Sequence, residues 1–124
     1  MNITLENISQ EQYDVILRSL DLYSRILSGQ LNMIDEVLRH DGKLPKHPEI
    51  VDECAIDIAR NYFDDINGVS SYIGIHSSTT AAKRAYDLYK ELRYQSGLEG
   101  AHSVYKYEPT RLIDKEFKIR FDGI

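Results

Sequence analysis

Apolar residues recur every three or four positions along the first third of the chain, which is the spacing of an amphipathic helix. Ser9 and Gln12 have the spacing of a capping box and mark the start of this pattern. Gly29 interrupts it, and a glycine in a helix interior costs about 1 kcal/mol relative to alanine. The pattern therefore predicts either two helices or one bent helix over residues 10–40, with the kink or break at Gly29.

Similar apolar stripes predict two more helices. Pro48 suits the first position of one, which is expected to end at Asn67-Gly68. The other is expected at about residues 80–95, after a run of hydroxyl residues that offers several caps, with Gly97 in the turn that follows. The predicted inner side of this last helix consists of Ala82, Ala85, Tyr86, Tyr89 and Leu92.

Strand-like patterns occur in four short segments. The clearest is residues 117–121, where three apolar residues alternate with two basic ones. The weaker candidates are residues 2–6, 69–75 and 103–107. The predicted fold class is therefore α+β: predominantly helical, with about four helices and a small antiparallel sheet of two to three strands. Because such a sheet is marginal alone, we expect it to pack on the helices or to pair with another subunit.

Length and composition are those of an ordinary globular protein. The 124 residues predict a single domain, residues 1–124. No apolar run approaches the roughly 20 residues of a membrane helix, and no signal-peptide pattern is present, so we expect a cytoplasmic protein with no membrane partner. The single cysteine, Cys54, excludes an internal disulfide framework and a multi-cysteine zinc site. The histidines have no partner at ligand spacing, and we expect no cofactor.

Charge is distributed unevenly along the chain. The formal net charge of −5 argues against duplex nucleic acid as the main partner. Residues 1–66 hold 6 Lys and Arg against 13 Asp and Glu, whereas residues 67–124 hold 9 against 7. The second half of the chain therefore favours a small anionic ligand, although solvated helix faces are an alternative explanation of such charge blocks.

Residues 67–94 carry the pattern that best suits a ligand site. A glycine-punctuated apolar segment leads through a run of Ser and Thr residues into a helix. The N–H groups and dipole at a helix start favour an anion, and Lys83 and Arg84 add positive charge in the first turn. Tyr72 and His76 are candidates for stacking on a base. The alternative is a well-capped helix whose cations lie in water.

Tyrosine is unusually frequent, with nine residues in a chain that has no tryptophan. Its ring stacks and its hydroxyl forms hydrogen bonds, which suits interfaces and ligand sites. The tyrosines that we assign to the core are Tyr13, Tyr62, Tyr86 and Tyr89. Those among which we expect an interface or ligand role are Tyr72, Tyr94, Tyr105 and Tyr107.

An acidic helix offers a different chemistry. Glu49, Glu53 and Asp57 lie four residues apart and so share one face of the predicted helix. Such carboxylates bind Mg²⁺ in all-helical nucleoside triphosphate pyrophosphohydrolases, which need a second acidic pair on a facing helix. Here Asp35-Glu36 is followed by Arg39, where the second carboxylate is needed. No nucleophile elbow or nucleotide fingerprint is present, so we expect a protein that is not an enzyme.

Four segments of the chain carry distinctive short motifs. The pattern D-L-Y-x-R-x-x-x-G-Q matches Asp21–Gln30, and an aromatic residue followed by x-G-I matches Tyr72–Ile75. The pattern A-Y-D-x-Y-x-x-x-R matches Ala85–Arg93, and a late Y-x-x-E-P-like strand end matches Tyr105–Pro109. Together these segments resemble those of a group of small, uncharacterised phage and prophage proteins. The chain departs from that group in having Tyr94 in place of a common histidine and Asn67-Gly68 in place of a Pro-Gly turn.

The resemblance implies a phage-encoded protein, and small non-enzymatic phage proteins often act by binding, some of them against host defence. We therefore expect a phage protein that forms a homo-oligomer in the host cytoplasm and sequesters a small nucleotide-like immune signal. Stacking is assigned to Tyr72 and His76, and phosphate pairing to Arg84 and Arg93. The full set of predicted ligand-binding residues is Arg25, Gln30, Tyr72, Gly74, His76, Ser78, Arg84, Arg93 and Tyr94.

Three alternatives remain open at this point. Asp21 lies four residues before Arg25 on the same predicted helix, so a structural ion pair is an alternative role for that arginine. The protein as a whole can instead be an acidic inhibitor that binds a host defence protein. The third alternative is the Mg²⁺-dependent nucleoside triphosphate pyrophosphohydrolase.

Overall fold

The fold is known from a computed structural model, which describes residues 1–43, 61–62, 74–98 and 105–122. Its principal helices in these ranges are α1 (Gln10–Leu27), α2 (Met33–Glu36) and α3 (Thr80–Leu98). A π-helical turn, Val37–Asp41, continues α2, and a 3-10 turn, Ile75–Ser77, precedes α3. The long helices α1 and α3 pack against each other, and the remaining described segments are arranged around this pair.

Helix α1 begins and ends where the sequence predicts. Ser9 Oγ accepts a hydrogen bond from Gln12 N at 3.1 Å, and Gln12 Oε1 accepts one from Ser9 N at 2.8 Å, which confirms the capping box. At the other end, Gly29 has a φ of +92° and donates to the carbonyl of Ile26. The next residue, Gln30, donates its N–H to the carbonyl of Arg25 at 2.9 Å. These two bonds form a Schellman motif, which confirms the predicted break at Gly29.

Helix α3 confirms the helix expected at about 80–95 and extends beyond it. Thr79 Oγ1 accepts a hydrogen bond from Ala82 N at 3.1 Å, so Thr79 is the capping residue within the hydroxyl run. Ala82 and Ala85 are buried, as predicted. The expectation that Gly97 lies in a turn is wrong, because α3 runs to Leu98.

Three polar residues of α3, Asp87, Glu91 and Ser96, are at most 2% exposed. The two acids face the C-terminal strap, by which we mean residues 110–114. Asp87 accepts hydrogen bonds from the N–H groups of Leu112 and Ile113, and Glu91 Oε1 lies 3.5 Å from Arg111 Nη2. The strap therefore runs antiparallel to α3, and the buried carboxylate of Asp87 satisfies two of its backbone N–H groups.

Two exposed or half-buried cations of α3 add to this attachment. Lys90 Nζ donates to the carbonyl of Thr110 at 2.8 Å. Arg84 Nε lies 2.9 Å from Asp114 Oδ2, and both of these side chains are about half exposed. The strap is thus joined to α3 by polar contacts along its whole length.

The predicted α+β fold class is wrong: the ranges that the structure describes are mostly helical and contain no strand. Residues 2–6, 105–107 and 117–121 all lack the ladder that alternation led us to expect. Phe121 instead places its ring 6.2 Å from that of Tyr13, while Ile3 and Leu5 remain 77% and 62% exposed. Alternation identifies a segment with two unlike faces, but a strand also needs a partner, which the described segments do not supply.

Some sequence predictions fall on other parts of the chain. The strand candidates at 69–73 and 103–104 lie outside the described residues, as does most of the acidic helix that begins at Pro48. Of that helix, Asn61 and Tyr62 are described, and both are helical. Within the described ranges, none of the helices combines the length and apolar character needed to cross a membrane.

Candidate functional site

A cavity of about 370 Å³ lies where the end of α1, the 3-10 turn and α3 meet. Small-molecule sites have volumes of roughly 300–1,000 Å³, so this cavity suits a small ligand. Polar residues predominate among the described residues that line it. They are Asp21, Ser24, Arg25, Ser28, Gln30, Gly74, Ile75, His76 and Tyr86.

Arg25 is the central residue of the α1 wall. Its Nε lies 2.9 Å from Asp21 Oδ1, one helical turn earlier, and its Nη1 donates to Gln30 Oε1 at 2.9 Å. Gln30 is in reach because the Schellman motif turns its backbone toward the carbonyl of Arg25. The motif usually brings apolar side chains together at these two positions, and here a guanidinium and an amide meet instead.

The guanidinium of Arg25 keeps capacity for a ligand. Its side chain is 44% exposed, against 15% for that of Asp21. Among the described residues, Nη2 has no hydrogen-bond partner. A planar guanidinium that is held by two of its nitrogens and open at the third is oriented for an anionic oxygen without further side-chain ordering.

The opposite wall is the segment around the 3-10 turn. Gly74 has φ +83° and ψ 152°, a region that is almost restricted to glycine. Ile75 and the exposed His76 follow it in the turn. Ser78 attaches this segment to α1, since its Oγ lies 3.0 Å from Ser28 Oγ and 3.4 Å from the carbonyl oxygen of Leu27. The turn is therefore held next to Arg25 by a contact between residues 50 positions apart in the chain.

Tyr86 supplies the α3 side of the cavity. The ammonium of Lys90, one turn later on the helix, lies 4.4 Å from the centroid of its ring. Burial lowers the pKa of Lys90 below its ordinary value, and the negative charge of Asp87 opposes this effect. The hydrogen bond from Lys90 to Thr110 ties this ammonium to the C-terminal strap.

The structure brings together four of the predicted ligand-binding residues, namely Arg25, Gln30, Gly74 and His76. Ser78 adjoins them through its contact with Ser28. Tyr72 lies outside the described residues. The predicted ion pair between Asp21 and Arg25 is also present, so this arginine has a structural partner in addition to its place in the cavity.

Three other predicted residues lie away from the cavity. Arg84 pairs with Asp114, and Tyr94 is half-buried elsewhere on α3. The guanidinium of Arg93 lies over the ring of Tyr89 at 5.3 Å and over that of Tyr105 at 5.5 Å, and its Nη1 donates to Tyr89 Oη at 3.1 Å. Arg93 therefore contributes to an aromatic cluster rather than to the cavity.

Three of the lining residues on α1 were not identified from the sequence, although their spacing in the sequence indicates a shared polar face. Asp21, Ser24, Arg25 and Ser28 follow the spacing i, i+3, i+4 and i+7, which places them on one face of a helix. Ser24 and Ser28 are at most 4% exposed, so this polar face is turned inward. Tyr86 was missed as a ligand residue because its position in an apolar stripe led us to place it in the core.

A larger cavity, of about 610 Å³, is formed by residues 108–111 and 115–118. All its described lining comes from one stretch of the chain, and none of the predicted ligand-binding residues lies there. Its arginine, Arg111, is engaged by Glu91 and lies 3.7 Å from the ring centroid of Phe117. The cavity at Arg25 differs in that its described lining comes from several elements of the fold and includes four of the predicted ligand-binding residues.

Within the described residues, no cluster of three or more His, Cys, Asp or Glu side chains is arranged to hold a metal ion. The carboxylates of the predicted Mg²⁺ site at Glu49, Glu53 and Asp57 lie outside those residues. Comparison of the chain with protein-family models, curated proteins and solved structures gave no match.

Proposed function

We propose that this protein is a non-enzymatic binding protein that sequesters a small nucleotide-like ligand in the cavity at Arg25. The observation that carries the proposal is a guanidinium that Asp21 and Gln30 hold by two of its nitrogens and whose Nη2 has no hydrogen-bond partner among the described residues. Such a group binds a phosphate or carboxylate oxygen with little loss of side-chain entropy. A nucleotide supplies that anionic group together with a flat heterocycle.

The second part of the ligand is inferred from the rings beside Arg25. His76 and Tyr86 line the same cavity, and aromatic rings stack on nucleobases whatever the base sequence. A ligand with a phosphate at Arg25 and a ring at His76 or Tyr86 would use both kinds of group. Inorganic anions would use only the first, so they should bind more weakly than nucleotides.

The hydrogen bonds of the two serine hydroxyls in the cavity support a role in binding rather than in catalysis. Ser24 Oγ donates to the carbonyl of Asp21 at 2.9 Å, and Ser28 Oγ donates to that of Ser24 at 2.8 Å. Hydroxyls that donate to helix carbonyls have no general base to activate them as nucleophiles. We therefore assign no nucleophilic role to these two serines.

The biological setting that we propose rests on the resemblance to small phage proteins. In that setting the protein is phage-encoded, forms a homo-oligomer in the host cytoplasm, and counters host defence by sequestering a nucleotide immune signal. A host protein is a second candidate partner, which the exposed apolar side chains of Met1, Ile3 and Leu5 favour. Such a partner would use the N-terminal segment and not the cavity.

Native mass spectrometry tests the proposal. The protein is purified gently from bacterial cells that carry active phage-defence systems, and its subunit number and any retained ligand are read from the same spectrum. We expect extra mass in the nucleotide range on the wild type and on Arg120→Ala, a matched control whose arginine is 84% exposed. We expect its loss on Arg25→Ala. A bare wild type, or a ligand that survives Arg25→Ala, would contradict the proposal.

A further inference from the structure

Tyr86 is the one tyrosine among the described residues that lines the cavity, and its ring also contacts a cation. The ammonium of Lys90 lies 4.4 Å from the ring centroid. Lys90 itself is not among the described lining residues. Since Tyr86 lines the cavity and Lys90 does not, we infer that the cation lies on the side of the ring away from the cavity.

Lys90 is held in this position. Its Nζ donates to the carbonyl of Thr110 at 2.8 Å, and the strap that carries Thr110 is in turn fixed by Asp87 through Leu112 and Ile113. A lysine side chain is ordinarily mobile, and its hydrogen bond to this carbonyl favours the position in which the ammonium contacts the ring.

A fixed cation on one side of a ring changes how the other side stacks. The cation attracts the π electrons of the ring, since the faces of an aromatic ring carry partial negative charge. The part of the ring that faces the cavity is left with less electron density. It should then stack more favourably with an electron-rich heterocycle than with an electron-poor one.

We propose that Tyr86 is the stacking surface for the heterocycle of the ligand, and that Lys90 biases this surface toward purines over pyrimidines. The inference rests on the proposed function and adds the class of base to it. Arg25 holds the anionic group, Tyr86 holds the purine, and Lys90 acts on the ligand only through the tyrosine ring. Lys90 is in this sense a specificity-determining residue that does not touch the ligand.

Calorimetric titration with three probes that share one phosphate tests the inference. The probes are adenosine 5′-monophosphate, uridine 5′-monophosphate and ribose 5-phosphate. We expect the wild type to bind them with affinity decreasing in that order. Tyr86→Leu should weaken adenosine 5′-monophosphate about tenfold or more and leave ribose 5-phosphate unchanged, because stacking on one aromatic ring is lost. Tyr107→Leu, at a tyrosine that is 82% exposed, is the matched control.

Lys90→Met tests the bias separately, because methionine keeps most of the length of the side chain without its charge. We expect the preference for adenosine over uridine 5′-monophosphate to fall severalfold while ribose 5-phosphate binds as before. An unchanged preference would overturn the role of Lys90. Equal changes for all three probes would overturn it as well, since they would indicate a general electrostatic effect.

A measurement on the wild type keeps the inference testable if Tyr86→Leu does not fold. The ring protons of Tyr86, assigned in NMR spectra with the help of Tyr86→Phe, should move upfield on addition of adenosine 5′-monophosphate and not of ribose 5-phosphate. Equal affinity for these two probes would overturn stacking and leave an anion site at Arg25. Absence of binding by all three would overturn the inference, and a bare protein in native mass spectrometry would then overturn the proposed function too.

Discussion

The hydroxyl of Tyr13 lies 2.7 Å from Ser96 Oγ and so connects the beginning of α1 to the end of α3, 83 residues away. At the opposite end of the same helix pair, Ser28 Oγ lies 3.0 Å from Ser78 Oγ. Two polar contacts thus fix the antiparallel helices at both ends. The cavity lies at the Ser28 end, which allows the other end to be altered without touching the candidate site.

Tyr13 should make the fold sensitive to alkaline pH. Burial raises the pKa of its phenol above the ordinary value. A raised pKa in the folded state means that folding favours the neutral phenol, so its contribution to stability is complete below the unfolded pKa of about 10 and is lost as pH rises through the folded pKa. Urea unfolding at pH 8 and at a pH above 10 measures this loss. Between these two pH values, the free energy of unfolding should fall less for Tyr13→Phe than for the wild type.

The control for this experiment is Tyr107→Phe, at an exposed tyrosine. It should show the same pH dependence as the wild type. At pH 8, Tyr13→Phe should be less stable than the wild type by about 1 kcal/mol, because the hydrogen bond to Ser96 is lost. Identical alkaline losses in Tyr13→Phe and wild type would show that ionisation of Tyr13 does not limit stability.

Asp87 should be required for attachment of the C-terminal strap. Its carboxylate lies 2.9 and 3.1 Å from the N–H of Leu112 and 3.1 Å from that of Ile113. Asp87→Ala leaves two partly buried donors without this acceptor, which we expect to cost about 2 kcal/mol or more. Urea unfolding measures the loss, and hydrogen exchange at the amides of Leu112 and Ile113 should become faster.

Asp114→Ala is the matched control on the strap itself. Its ion pair with Arg84 is about half exposed on both sides, and such pairs contribute roughly 0–1 kcal/mol. We expect little change in stability or in exchange at Leu112. Equal effects of the two substitutions would mean that the strap is held by its charges in general and not by the buried carboxylate.

The parts of the fold that the sequence predicts well are those that depend on nearby residues. Ser9 and Gln12 satisfy each other within one turn. Helix α1 ends at Gly29 through two local bonds, from Gly29 N to the carbonyl of Ile26 and from Gln30 N to the carbonyl of Arg25. The sheet was wrongly predicted because alternation at residues 117–121 cannot identify a partner strand. Asp87 and Glu91 were not expected to be buried, because periodicity assigns charged residues to solvent and their partners lie in the distant strap.

The same distinction applies to the candidate site. Arg25 and Gln30 meet because the end of a helix brings residues five positions apart into contact. All residues that determine this contact are neighbours in the sequence. Their approach to Gly74 and His76 depends on the contact between Ser28 and Ser78, for which no local pattern exists. Arg84 was expected at the ligand because of its charge, but it pairs with Asp114, thirty residues away.

Gly74 should be needed because of its backbone conformation in the turn, and not because a side chain at this position would clash with its neighbours. A Cβ built on Gly74 meets nothing within 4 Å, but its φ of +83° is a conformation that other residues rarely adopt. We expect Gly74→Ala to cost about 1–3 kcal/mol of backbone strain. The turn should relieve this strain by moving, so calorimetric affinity for adenosine 5′-monophosphate should fall as well.

Gly42→Ala provides the comparison, because Gly42 follows the π-helical turn with an ordinary φ of −85°. Alanine adopts that conformation without strain, so this variant should be as stable as the wild type or slightly more so. If Gly74→Ala behaves like Gly42→Ala in both unfolding and binding, the left-handed backbone at Gly74 has no role in the site.

Asp21 should weaken the binding of anions even though it orients Arg25. The orienting ion pair is partly exposed and contributes roughly 0–1 kcal/mol. The repulsion between its carboxylate and a ligand anion about 6 Å away is about 1–3 kcal/mol for effective dielectric constants between those of water and a protein surface. Repulsion is the larger effect, so Asp21→Asn should tighten adenosine 5′-monophosphate about fivefold while stability falls by less than about 1 kcal/mol.

The salt dependence of binding distinguishes this electrostatic effect from a change in shape. At high salt, screening should reduce the gain from Asp21→Asn, because ionic strength weakens interactions between exposed charges. Asp14→Asn removes one negative charge from an exposed position elsewhere on α1 and should leave the affinity unchanged at either salt concentration. Asparagine keeps an oxygen that can accept from Arg25 Nε. Weaker binding by Asp21→Asn would therefore mean that Arg25 needs the carboxylate itself to hold its orientation, and that this positioning outweighs the repulsion.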